Sequence, residues 1–444
     1  MADIIDFRAL RYNPAKVSPG EVLTQPYDKI TPSMQERYYA ASPYNLVRII
    51  LGKANPGDNG QSNVYTRAAA SLAQWQAAGV LLRDPEPSIY VYAQTFRIPG
   101  EPTGAEAERR GFIALGRVED YERKIVFRHE QTLSKPKADR LNLLRATEAH
   151  CGQIFMVYSD PADEVGRLLR QDGPPTMELR DEYGVLHRMW RVSDAAKVAA
   201  VRAKMADRKL IIADGHHRYE TALNYRNEMR QQRKSDDLEA PYERVMMTFV
   251  NMDAPGLVIL PTHRVVFGLE GFDIFAKAAE VMQYFDIQDL GRVSDVQDAM
   301  RRLREAGKDR TALLAVTAQN AFLLRSRKDQ PSPKLAGLSE QQRTLDVVQL
   351  HKLILEEIIG MSEEDIRAQN HLKYVRDAAE AIEEVHRGAQ VAFLMNPVRM
   401  EQVRDIAFAG EVLPQKSTDF YPKMLSGLAI YLVGAEAQSM TGGR

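Results

Sequence analysis

One cysteine, Cys151, stands in a chain of 444 residues, so neither an internal disulfide nor a multi-thiolate metal site can form within it. Uncharged apolar runs of about 18 residues are missing too, and no helical membrane span is expected. The start, Met1-Ala2-Asp3-Ile4-Ile5-Asp6, has neither the basic nor the long apolar stretch of a signal peptide. A cytoplasmic enzyme or binding protein is the expectation, with no membrane partner. Charge of one sign is not in excess: 59 Lys and Arg face 60 Asp and Glu, a net charge of -1. Nucleic-acid binding through an overall basic field is therefore disfavoured, a local groove apart. There is no Gly-x-Ser-x-Gly elbow, and no helix-turn-helix with a basic recognition helix. Repeats and low-complexity stretches are absent as well.

What is present suits a folded protein, with 44% hydrophobic and 27% charged residues. At about 150 residues per domain the length suggests two or three lobes. Strand-like and helix-like patterns alternate, which predicts an α/β (α+β mixed) architecture. Ile89 to Arg97 and Arg110 to Val118 alternate like the arms of a hairpin. Val245 to Met252 and Leu257 to Leu260 read as buried strands joined by the turn Asp253-Ala254-Pro255-Gly256. Helical spacing marks Ser62 to Ala78, Ala138 to Thr147, Tyr219 to Arg233, Phe272 to Tyr284, Val293 to Ala306 and Asp346 to Ile359. After Arg264 the texture changes. An N-terminal α/β region, 1–265, and a C-terminal one, 266–444, are expected, the second returning polar residues near Lys416 to the first.

The densest chemistry lies at one strand-to-helix turn. An apolar run, Leu210-Ile211-Ile212-Ala213, enters Asp214-Gly215-His216-His217-Arg218, and a helix with Tyr219, Ala222 and Leu223 on one face follows. Asp214 is the expected N-cap, and Gly215 permits unusual φ and close approach of a ligand. His216, His217 and Arg218 then occupy the first helical turn, where the dipole disfavours cations. An anion among them and the free backbone donors resolves that conflict. Histidines bonded to neighbouring carbonyls would also account for the pattern. Adjacent side chains on a helix diverge by about 100°, so His216 and His217 make a poor metal pair.

Other polar clusters lie far away in sequence. His129, Glu130 and Thr132 directly follow a strand-like run, with Arg140 soon after; a base, a metal-binding carboxylate and phosphate-contacting groups can be drawn from them. A solvated loop leading into a helix would look the same. His129-Glu130 has no second histidine at the spacing of a zincin. His263 and Arg264 sit by an apolar strand end, a usual place for site residues. Lys416, Ser417, Thr418 and Lys423 combine cations with hydroxyls, but the Gly-x-x-x-x-Gly of a Walker A loop does not precede Lys416. Asp28 is a candidate base or magnesium ligand, with a simple Asx-turn as competitor.

Asp-Gly-His-x-Arg between strand and helix resembles the phosphate-binding motif of the ParB/sulfiredoxin-like superfamily. Over nearly its whole length the chain also resembles the DUF1015 family, of unknown function. The matching segments are Gln25 to Ile30, His129 to Thr132, Ala213 to Leu223, Pro261 to Arg264, Gln415 to Thr418 and Phe420 to Lys423. Asp419 departs from the aromatic residue this pattern would place there. The resemblance implies a ParB/sulfiredoxin-like nucleotide-binding core with additional α/β lobes. It also implies a turn that cradles nucleotide phosphates and, as in some members, phosphorylation of free serine.

The expectation is a small-molecule kinase. Asp28, Glu130 and His217 would be catalytic, and Asp28 and Glu130 would also hold Mg²⁺. Asp214 to Arg218 and Lys416 to Thr418 would hold ATP or ADP. His129, Thr132, Arg140, His263, Arg264 and Lys423 would meet the substrate. A nucleotide-binding regulator or DNA-associated protein without kinase activity is the alternative, and a hydrolase using His216 or His217 as base is a third. A homo-oligomer stays open.

Overall fold

The computed structural model describes residues 2–434 apart from 102–103, 131–133, 236, 270 and 328–331. Thr132 thus lies outside the described residues. The fold is mixed α/β, built on a nine-stranded sheet and a six-stranded one.

Period-two alternation divides the first sheet between two apolar layers. In the fully buried strand Ile154–Tyr158, Phe155 and Val157 join one layer, while Ile154, Met156 and Tyr158 join the other. Helices cover both faces. Val64–Ala77 and Ser134–Thr147 supply Leu72, Trp75 and Leu144 to the first layer. Ala195–Met205 and His216–Arg233 supply Val201, Met205, Tyr219 and Ala222 to the second. Each large apolar side chain so buried contributes about 1.5–3 kcal/mol.

Three neighbouring strands at one end of this sheet run in the order Val126–Phe127, Leu210–Asp214, Ile154–Tyr158. The first two are parallel, so both chains leave the sheet at the same edge. His129 and Glu130 therefore emerge beside Asp214. Pairing with Ile154–Tyr158 shifts register between Ile212 and Asp214, an irregularity that re-aims the last strand residue.

The second sheet is antiparallel throughout and takes its strands from 263–395. Two of them bear on the site: His263–Val266 and, at the sheet edge, Leu372–Val375. Val266, Leu313 and Phe393 from this sheet belong to the same apolar layer as Phe155, so one core runs through both sheets.

Expected and observed elements differ in instructive places. Val258–Leu260 does not fold back on Arg244–Asn251; it pairs with Asp419–Tyr421. That pairing, Ser426 against Thr24, and Tyr431–Leu432 against Ala149–His150 lay the end of the described chain along the first sheet's layer. The helix expected over 272–284 is reduced to short turns at Ile274–Lys277 and Ala278–Val281, ahead of the edge strand Phe285–Gly291. Asp346–Gln349 begins as α-helix and then widens to π-helix over Leu350–Ile358. No helix among the described residues is long and apolar enough to cross a membrane.

Candidate functional site

A cavity of about 360 Å³ lies over the start of helix His216–Arg233. Segments from six distant parts of the sequence wall it: Tyr27 to Lys29, Glu130, Ala213 to Arg218, Thr262, Tyr374 with Arg376, and a stretch between Lys416 and Lys423.

Asp214 is not the helix cap. Gly215 holds that position at φ 95°, in the left-handed region, and no side chain caps the helix. The Asp214 carboxylate instead accepts from Lys423 Nζ at 2.7 Å and faces the Arg218 guanidinium at 3.4 Å. Burial alone would raise this carboxyl, but Lys423 and Arg218 outweigh it and hold it far below the usual carboxylate range. Arg218 also donates to the Gln153 carbonyl. Much of the charge conflict at the helix start is therefore met inside the protein, by Asp214.

His216 is not a cation either. Burial and the nearby His129 push it well below its ordinary value, so it is a neutral imidazole. Its ring stands edge-on to His129 at 4.8 Å, and its buried Nε2 has no partner among the described residues. His217 lines the cavity beside it.

Gly215→Ala tests the turn. A Cβ there would sit 3.0 Å from the Arg218 guanidinium, on a backbone that L-residues avoid. Left-handed geometry costs a side chain about 1–2 kcal/mol, so the urea midpoint should fall accordingly; an unchanged midpoint would contradict the assigned conformation.

Across the cavity, Glu130 accepts from the Lys416 backbone N–H at 2.7 Å. Burial raises its carboxyl above the ordinary value despite Lys416. Asp28 is exposed and lines the cavity, with no bonded partner among the described residues. Lys29 lines it as well, its ammonium pulled down by burial and by Lys423. Neither the Lys29 nor the Lys416 side chain has a hydrogen-bond or ion-pair partner among the described residues. Lys423, in contrast, is clamped between Asp214 and Asp419, the latter at 3.1 Å. Asp419 also pairs with Arg376, so the departure from an aromatic residue at 419 builds part of the site's charge network.

Several expected contacts are corrected by this geometry. His129 is completely buried with both nitrogens engaged, so it meets no substrate. A carbonyl only accepts; Nδ1–H therefore donates to Ile212 at 2.8 Å, and Nε2 accepts from the Thr418 hydroxyl at 2.8 Å. Burial lowers this histidine to about 4, and its role is to orient Thr418, which does line the cavity. Ser417 is buried, its hydroxyl donates to the Pro414 carbonyl at 2.5 Å, and it does not line the cavity. Arg140 lies outside the cavity, bonded to Asp139 and to the Ile50 carbonyl at 2.7 Å, with its guanidinium 4.1 Å over Tyr27. His263 is buried, accepts from the Met395 N–H at 3.1 Å, and is lowered to about 4 by burial and Arg264. Arg264 is buried too; it donates to the Thr262 and Lys416 carbonyls, the latter at 3.2 Å, and steadies the Lys416 turn.

Lys29, Thr262, Tyr374, Arg376 and Asp419 were missed as site residues. Lys29 had a signal, its place beside Asp28. Thr262 neighbours His263 and Arg264, but only pairing decides which side of a strand end faces a cavity. Tyr374 and Arg376 carry no local signature.

Among the described residues no three His, Cys, Asp or Glu side chains gather closely enough to hold a metal alone. Magnesium is commonly held by one or two carboxylates plus substrate phosphates, and two carboxylates, Asp28 and Glu130, line this cavity.

A family model described as a protein of unknown function, DUF1015, matches residues 4–348. No curated protein matches the chain. Among solved structures it is similar to a free serine kinase in complex with AMP, at 12% identity and a TM-score of 0.34, over 68% of this chain and 89% of that one. A conserved hypothetical protein from Pyrococcus furiosus is similar at 12% identity and a TM-score of 0.34, over 69% and 92%. SbnI with a C-terminal truncation, from Staphylococcus aureus, is similar at 11% identity and a TM-score of 0.33, over 72% and 87%.

Proposed function

The chain belongs to the DUF1015 family, and from that premise we propose that it is a nucleotide-dependent phosphotransferase acting on a small-molecule hydroxyl. One observation carries the reading: Lys29 and Lys416, without described partners, face one cavity with the uncapped start of a helix of 18 residues. Two unpaired ammonium groups and oriented backbone donors are the complement of a polyphosphate.

ATP or ADP would place its phosphates over Gly215 to His217, with Lys29 and Lys416 on the phosphate oxygens and Thr418 donating no proton to them, since its hydrogen is given to His129. Mg²⁺, when bound, would offset phosphate charge, with Asp28 as its protein ligand. Glu130 is the base. The acceptor oxygen forms its bond to the terminal phosphorus as that phosphorus loses its bridging oxygen to the departing nucleotide, and the hydroxyl proton passes to Glu130. L-serine is the first acceptor to test, because Asp214-Gly215-His216-His217-Arg218 matches the motif found in kinases of free serine.

Charge-assisted bonds contribute about 1.5–3 kcal/mol each. Lys29→Ala should therefore weaken ADP binding by roughly 10- to 100-fold in isothermal titration, with Lys416→Ala acting similarly. Equal affinity in wild type and both variants would remove the phosphate site. A coupled assay with ATP or ADP, Mg²⁺ and serine then reads turnover. Tight nucleotide binding with no turnover on any hydroxyl compound would leave the regulatory alternative.

A further inference from the structure

Beyond Tyr374 lies a second cavity, of about 290 Å³, and Tyr374 walls both. The two are also joined along the chain, since Gln415 lines this one and Lys416 the other. Its walls mix apolar residues, among them Leu338, Val348, Ile366, Leu413 and Pro414, with polar and charged ones.

Polar groups without partners gather at this shared wall. His351 lines the cavity and is only 4% exposed, yet its Nε2 has no hydrogen-bond partner among the described residues. The buried Tyr374 hydroxyl lacks one too, as does Nε of Arg264, whose guanidinium lies 5.1 Å from the Tyr374 ring centre. A buried polar atom left unbonded costs about 1–3 kcal/mol. Three together at one wall, two of them on residues lining a cavity, mark a place where a ligand's polar group belongs.

The backbone is unusual at the same spot. His351 sits in the π-helical stretch Leu350–Ile358, where Ile359 N–H reaches back five residues to the Ile354 carbonyl at 2.8 Å. Such widened turns occur often at functional sites.

Charge distinguishes the two cavities. Lys352 is bound by Glu356 at 2.8 Å and by Glu363, and Arg367 completes two cations against two carboxylates. This lining has no surplus for an anion, whereas in the first cavity Lys29 and Lys416 have no partners among the described residues. Burial and Arg264 push His351 well below its ordinary value, so its ring is neutral near pH 7. A neutral imidazole and a phenol can each match a group that both donates and accepts, which is what a hydroxyl does.

We infer that this second cavity binds the phosphoryl acceptor, a small hydroxyl-bearing molecule without net charge, presented to the phosphate cavity past Tyr374. The inference rests on the phosphotransferase reading and adds to it where the acceptor sits and what class it belongs to.

The test titrates the full chain with L-serine, glycerol and myo-inositol by ligand-observed NMR, and separately with ADP and Mg²⁺ by calorimetry. His351→Phe removes the unpaired nitrogen at similar volume. Leu338→Trp, at a partly buried position outside the π-helical stretch, fills the cavity from its other wall. At least one probe should bind the wild type and weaken tenfold or more in both variants, with ADP affinity within twofold. ADP binding with no probe bound, or probe binding unchanged in both variants, would overturn the acceptor pocket and leave the phosphate site standing. Probe binding that both variants lose, in a protein that binds no ADP, would instead sink the phosphotransferase reading and with it the acceptor role.

Discussion

Glu130→Gln should lower turnover by roughly 10²–10⁴-fold, the usual contribution of a positioned base, with ADP affinity within twofold. Glutamine keeps an oxygen to accept from the Lys416 N–H, so the loop that carries Lys416 stays in place. What is lost is the ability to take a proton. Burial raises the Glu130 carboxyl, which suits a base working near neutrality, and it sets the sign of the pH profile. Activity should decline as pH falls through that raised value, because protonated Glu130 cannot accept, and the acid limb should be absent from the residual activity of Glu130→Gln. Wild-type turnover in Glu130→Gln together with loss in Asp28→Asn would move the base to Asp28. Both variants need only a coupled assay and a titration.

Lys423→Met should cost about 2–4 kcal/mol, the lower part of the range for breaking a buried ion pair, because Asp214 keeps some water. Lys423 is 12% exposed, Asp419 11% and Asp214 22%. Removing the ammonium leaves two largely buried carboxylates, balanced by Arg218, Arg376 and the more distant Lys29 among the described residues. The effect should depend on pH. In the wild type both carboxyls are held below their ordinary values, for although burial raises them, Lys423 and its neighbours outweigh it. Groups lowered in this way contribute stability above the unfolded value, about 3.9 for aspartate, and lose it as pH falls through the folded value. In Lys423→Met the carboxyls rise and take up protons sooner on acidification, which relieves the unpaired charge. The gap between the two proteins should therefore be widest near pH 7 and narrow toward pH 4. Urea unfolding followed through Trp75 and Trp190 measures it, and equal midpoints at pH 7 would refute the clamp.

Local features were legible where one stretch of chain holds all the information. The alternation of Ile89 to Arg97 and the apolar run into Asp214-Gly215 needed no partner to be read. Gly215 announced its left-handed turn for the same reason. Polar residues were harder. His129, His216 and His263 look alike in sequence, yet one orients Thr418, one lines the cavity as a neutral ring, and one bonds the Met395 N–H. Their environments come from segments that composition cannot place.

The sequence by itself determined that a glycine-hinged strand-to-helix turn would carry cations at a helix start, and which other segments held matching chemistry. Only the tertiary structure decided how that charge is met. It set Asp214 against Lys423 and Arg218, left Lys29 and Lys416 over the same turn without partners among the described residues, and turned Thr262 and Thr418 inward where His263 and Ser417 turn away. The physical reason is that side-chain alternation along a strand or loop says only that neighbours face opposite ways. Which face meets a cavity, and which charge meets its counter-charge, depends on pairing between strands more than a hundred residues apart, such as Leu260 with Asp419.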